Sequence, residues 1–200
     1  MSRVEIKKYA KDKIKGNLGN YWKGMILVYL SEIVVTILCN KLLGTGNVKS
    51  TITSVITTVI LAPLMIGLLK YVDEVRNGQT PDVNIIFSYY SNFLNIAIMS
   101  AISSILVSIG TFLLIIPGIY LAISMVLAPY LMMKDKDLDP IKALKSSFEM
   151  MNGHRLEMLV FGLSFIGWFL LVAVTFGIAI IWVGPYVQVA TLKYYEQITA

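Results

Sequence analysis

Cysteine, histidine and charge are scarce in this chain, and each scarcity removes a class of function. A single cysteine, Cys39, excludes an intramolecular disulfide. A single histidine, His154, with no cysteine nearby, excludes the usual zinc spacings, so no metal site is expected. There is no Gly-x-x-x-x-Gly-Lys phosphate loop, no Gly-x-Ser-x-Gly nucleophile turn and no His-Glu-x-x-His. ATP hydrolysis and common hydrolase mechanisms have no residues to carry them, so no enzyme, no catalytic residue and no cofactor are expected. Charged residues are only 14% of the 200, against about 25% in a soluble domain. The net charge of +5 does not imply a nucleic-acid partner, because the cations lie along membrane-flanking segments and not on one basic, aromatic-bearing surface.

Apolar residues are abundant instead. They make up 56% of the chain, and the mean hydropathy is +0.72, which predicts an all-α integral membrane protein. A helix crossing about 30 Å of hydrocarbon needs roughly 20 residues. Runs at 24–43 and 50–69 each read as one span, separated by the polar link Gly44-Thr45-Gly46-Asn47. The run near 93–133 is too long for one crossing and is divided at Pro117-Gly118 into spans 93–116 and 119–133. The last run is divided at Thr175-Phe176-Gly177 into spans 158–174 and 177–192, both short.

Charge fixes the expected threading. With six spans and both termini inside, fifteen of the seventeen Lys and Arg fall on the cytoplasmic side, and only Lys41 and Lys49 fall outside. A four-span chain without either hairpin would strand the cluster 134–155 outside. No cleavable signal peptide is expected, since more than twenty largely polar residues precede the first apolar run.

Two amphipathic helices are predicted on the cytoplasmic side. In the basic segment 1–22, Ser2 and Glu5 have capping-box spacing, Ile6, Ala10, Ile14 and Leu18 recur every four residues, and Lys7, Lys8, Lys11 and Lys15 fill the other faces. This is an interfacial helix suited to an anionic leaflet, or else a plain topology signal. In the link 134–157, Asp139-Pro140 starts a helix, Ile141, Leu144, Phe148 and Met151 repeat at helical spacing, and Gly153 ends it. Its apolar edge rests on the membrane or span ends, or offers a groove to a partner.

Glu32 is the one acidic residue well inside a predicted span, where an unpaired carboxylate costs at least about 2.5–3.5 kcal/mol. It should face the bundle interior. It is the candidate intramembrane polar site, serving either a proton, cation or substrate or only packing through hydroxyls such as Thr53, Thr57 or Ser104. Ser100, Ser104 and Ser108 on the third span, with Ala97 and Ala101, and Ser50, Ser54, Thr57 and Thr58 on the second, form small-residue stripes that predict close helix contact. Pro63 should kink the second span and free a carbonyl for a neighbouring hydroxyl. Tyr21, Trp22, Tyr71, Tyr89, Tyr90, Tyr130, Tyr194 and Tyr195 fall near span ends, as an aromatic belt requires. Trp168 falls deeper, and its indole needs an acceptor or a shallower helix.

Several stretches resemble a known family: Ile116-Pro117-Gly118-Ile119, Ala128-Pro129-Tyr130, Ala143-Leu144-Lys145-Ser146-Ser147, Met150-Met151-Asn152-Gly153-His154-Arg155, Leu163-Ser164-Phe165-Ile166-Gly167-Trp168, and Gly184-Pro185-Tyr186 with Tyr194-Tyr195-Glu196. They resemble the domain of unknown function 975 family of bacterial integral membrane proteins, with Lys15-Gly16-Asn17 and Pro63-Leu64-Met65-Ile66-Gly67 agreeing earlier in the chain. Segment 116–153 is also similar to the membrane portion of certain glycerophosphodiester phosphodiesterases, whose catalytic domain has no counterpart here. The resemblance implies a fold, a bacterial cytoplasmic-membrane location and a lipid connection, and it transfers no catalytic residue. The expected role is a non-enzymatic helper, sensor or assembly component, partnered by membrane lipids and other membrane proteins. The alternative is a small transporter or lipid-handling permease built around Glu32.

Overall fold

Capping chemistry starts the two polar helices at the residues the sequence predicts, but the first ends at Ile14, short of the expected Leu18, which opens the next helix after Gly16 turns the chain at φ +77°. The Ser2 hydroxyl accepts from the Glu5 amide at 3.3 Å while the Glu5 carboxylate accepts from the Ser2 amide at 2.6 Å, which starts α1 (Arg3–Ile14). Asp139 accepts from the amides of Ile141 and Lys142 at 3.0 and 2.9 Å and starts α7 (Pro140–Met150), beyond which Gly153 turns the chain at φ +83°. The computed structural model describes residues 1–43 and 47–199, with side-chain surroundings for 1–42 and 53–199. The link residues Gly44, Thr45 and Gly46, and the side chains of Lys49 and Ser50, lie outside what is described.

All described elements are helical. Between the polar helices run α2 (Leu18–Leu43), α3 (Asn47–Arg76), a 3₁₀ segment (Val83–Asn92), α4 (Phe93–Leu113), α5 (Ile115–Ser124) and α6 (Ala128–Lys134). After α7 come α8 (Arg155–Leu163), α9 (Ile166–Val174) and α10 (Ile180–Thr199). Among the described residues, five stretches are long and apolar enough to cross a membrane: Leu18–Leu42, Thr53–Arg76, Val83–Leu113, Ile115–Lys134 and Arg155–Val174. The sixth expected span, 177–192, does not qualify. Most of it falls in α10, which carries Gln188, Lys193 and Glu196 and is largely buried inside the protein.

The turn between α4 and α5 falls at Leu114, whose backbone is extended, and not at Pro117-Gly118. Pro117 sits in the first turn of α5, where a missing N–H costs nothing. Gly118 keeps a different role: a side chain there would collide with Thr111, so its absence lets α4 and α5 close on each other. The other expected break holds, with Phe176 and Gly177 both at positive φ and the Gly177 amide bonded to Val172 O at 2.8 Å.

Close contact is made by glycine and not by the serine stripe. Gly24 lies against the Tyr71 ring, and Gly67 leaves room for the Ile86 carbonyl of the 3₁₀ segment. Ser108 is exposed, and Ser100, Ser103 and Ser104 border a cavity of about 380 Å³ between α3, α4 and α5. Helix α3 continues through Pro63, and the Tyr90 hydroxyl donates to Ile60 O at 3.0 Å, three residues before it.

The expected aromatic belt is mostly core. Tyr21, Tyr71, Tyr89, Tyr130, Tyr194 and Tyr195 are buried, because α1 and α10 cover the end of the bundle where most of these rings lie and the 3₁₀ segment packs along α3. Helix α1 packs along α10 and buries Ile6 and Ala10 completely, so its apolar stripe faces protein. Helix α7 likewise buries Ala143, Leu144 and Ser147 against α4 and α6, leaving Ile141 exposed and Phe148 edge-on to Tyr120 at 6.0 Å.

Candidate functional site

Helix α1 and the α9–α10 hairpin enclose a groove of about 480 Å³. Lys11, Asp12 and Lys15 line one wall, and Trp168, Trp182 and Tyr186 line the other. A second hollow continues from it past Lys7 and Lys8. The Lys7 ammonium donates to Ser164 O at 2.8 Å and stands 4.5 Å over the Phe165 ring, while Lys11 stands 5.3 Å over Trp168. Among the described residues none of Lys7, Lys8, Lys11 and Lys15 has a carboxylate within ion-pair distance. Glu5 is engaged by the Ser2 cap. Partial burial, then the positive charges of Arg3 and Lys11, push the Lys7 ammonium below its ordinary pKa. A site with surplus positive charge beside exposed tryptophan favours an anion attached to an apolar body.

Near the other end of α10, charge is paired. Asp73 and Arg76, both almost wholly buried, meet at 2.5 Å. Arg76 reaches Glu196 at 3.1 Å, Lys193 reaches the same carboxylate at 3.1 Å, and Lys134 reaches Asp73 at 3.3 Å. This joins α3, α6 and α10. Burial opposes ionisation of Glu196, but the hydrogen bond from Lys193 and the charge of Arg76 outweigh it and hold the carboxyl below its ordinary pKa. Sequence reading missed this cluster. Its only trace was two oppositely charged pairs at i,i+3 spacing, Asp73 with Arg76 and Lys193 with Glu196.

Ser147 was also overlooked. It is fully buried at the break between α5 and α6, accepts from the Leu127 amide at 3.1 Å and donates to Ser124 O at 2.9 Å. Arg155 donates to the Ser124 hydroxyl at 2.8 Å and to Phe148 O at 2.9 Å. A buried helix break leaves amides and carbonyls without partners; Ser147 supplies them, and Arg155 ties the Ser124 side chain to the end of α7.

Glu32 does not face the interior. It is exposed on α2, at the rim of a shallow hollow of about 310 Å³ shared with Thr36, Asn40, Thr53 and Thr57. No hydrogen bond to its carboxylate occurs among the described residues, and the hydroxyls of Thr53 and Thr57 are buried without partners. The structure thus gathers Glu32 with two of the three hydroxyls expected near it and leaves Ser104 on the other side of α3, in the cavity facing α4.

The class defined by these features is, among the described residues, an all-helical protein with five helices of membrane-spanning length and polarity. Residues 98–200, more than half of the chain, match the family described as "Protein of unknown function (DUF975)", and the chain belongs to that family. No curated protein and no solved structure matches it.

Proposed function

We propose that the chain is a non-enzymatic, multi-pass helper, sensor or assembly component of the bacterial cytoplasmic membrane, with both termini inside and anionic membrane lipid as its partner. The observation that carries this reading is the groove between α1 and α9–α10, where lysines without carboxylate partners stand opposite Trp168, Trp182 and Tyr186. A phospholipid offers a phosphate to the lysines and acyl chains to the indoles. The clusters at Asp73–Arg76 and Ser147–Ser124 hold helices of the chain together and leave no comparable surplus of charge. Lipid analysis by mass spectrometry of protein pulled down from native membranes tests it. Anionic lipid should be enriched over the bulk membrane, and Lys7→Gln with Lys11→Gln should remove the enrichment.

The hollow at Glu32 favours a second reading, a small transporter or lipid-handling permease. A carboxylate beside two unpartnered buried hydroxyls is a polar strip along otherwise apolar helices.

A further inference from the structure

The C-terminal hairpin is positioned by contacts near both ends of α10. Near its start, the Trp22 indole donates to Ile181 O at 2.8 Å and the Met25 side chain lies over Gly184. Near its end, Glu196 meets Arg76 at 3.1 Å. Fifteen residues of helix separate Ile181 from Glu196, about 22 Å. On the α2–α3 pair the two contact points are much closer together. The Tyr71 hydroxyl donates to Asn20 O at 2.8 Å and the Tyr71 ring packs on Gly24, so Trp22 and Tyr71 share a level. Arg76 is only five residues further on, about 8 Å. Helix α10 therefore lies across the end of the α2–α3 pair and does not run alongside it.

The neighbouring helices follow α10. Phe161 stacks on Tyr194 with ring centres 4.6 Å apart, and Phe165 and Trp168 meet Tyr186 at 5.5 and 5.3 Å, so α8 and α9 run antiparallel to α10. Helix α1 lies along α10 as well, with Lys7 on Ser164 and Lys11 over Trp168.

This layer meets α2 where charge gives way to hydrocarbon, since Lys23 adjoins Trp22 and the apolar run begins at Gly24. Beyond Ile181 only residues 176–180 remain before the tip, at most about 8 Å of helix against about 30 Å of hydrocarbon. The tip is apolar and uncovered: Val174 is 76% exposed, Phe176 98% and Ile178 64%.

We propose that α8, α9 and α10 do not cross the bilayer. With α1 they lie in the plane of one leaflet, the Phe176 tip among its acyl chains and the α1 lysines at its phosphates. The proposal rests on the membrane reading above, which makes this the anionic cytoplasmic leaflet. Four crossings remain, by α2, by α3, by the 3₁₀ segment with α4, and by α5 with α6. All fifteen inside cations stay inside, because removing a hairpin removes two crossings and leaves the sidedness of everything else unchanged. Trp168 then lies at the shallow level its indole needs.

The test uses single cysteines replacing Asn47, Asp137 and Phe176 in a Cys39→Ala background. Spheroplasts are treated with a membrane-impermeant maleimide, and nitroxide depth is measured on purified protein in vesicles of phosphatidylglycerol and phosphatidylethanolamine. Labelling from outside is expected at Asn47→Cys and at neither Asp137→Cys nor Phe176→Cys, with the Phe176→Cys nitroxide within about 10 Å of the phosphates on the Asp137 side. External labelling at Phe176→Cys, or a depth near the opposite phosphates, overturns the proposal. Absence of external labelling at Asn47→Cys would instead sink the inside-terminus orientation, and the depth of Phe176→Cys relative to Asp137→Cys would still decide the hairpin.

Discussion

The Ser147 hydroxyl of α7 donates to the Ser124 carbonyl across 2.9 Å, at the point where α5 gives way to α6. Because Ser147 also accepts from the Leu127 amide, one side chain from a polar link satisfies both a donor and an acceptor left by a helix break. Ser147→Ala should lower stability by about 1–3 kcal/mol, the cost of leaving buried backbone groups unpaired. Thermal unfolding in detergent measures this, and Ser147→Thr should recover part of the loss.

Asp73 and Arg76 are paired at very low exposure. Removing one partner leaves a buried charge, so Asp73→Leu or Arg76→Met alone should cost about 3–5 kcal/mol, whereas the double variant should recover most of it. Unfolding of the three variants in detergent checks the pattern, and equal damage in all three would show that the pair is not the source of the cost.

Glu196 sets an acid limit. Its folded-state pKa is depressed, so its contribution is present above the ordinary glutamate pKa and lost as pH falls through the folded value. The gap in unfolding temperature between the native chain and Glu196→Gln should be widest at neutral pH and should shrink on acidification below about pH 5. A gap that widens in acid would reverse the sign of the argument.

If Glu32 serves packing alone, Glu32→Gln should be nearly silent, because the amide fills the same rim of the hollow and loses only the titratable proton. A proton-coupled role should fail with Gln and survive with Asp. Growth of the native host, or flux in proteoliposomes once a substrate is found, separates the two outcomes.

The helical content, the stretches long and apolar enough to cross a membrane, and the caps that start α1 and α7 were legible in the sequence, because each depends on local pattern. Ser2 with Glu5 and Asp139 with Pro140 act within one helical turn, and hydropathy depends on composition within about 20 residues. The turn at Leu114 was misplaced by three residues because proline ends a helix only from its interior, and Pro117 occupies a first turn.

What only the tertiary structure decided is which apolar surfaces are buried against protein and which stay exposed. Hydropathy gives the same signal for both, so the tyrosines read as a belt proved to be core, and the stripe of α1 proved to face α10. Glu32 was expected inside because charge avoids lipid, yet the rotation of α2 against α3 leaves it at an exposed rim. The Asp73–Arg76–Glu196 cluster joins residues up to 120 positions apart. Such partners are brought together by helix crossing, which depends on where Gly24 and Gly67 allow backbones to approach, and no periodicity along a single helix encodes the angle at which another will lie across it.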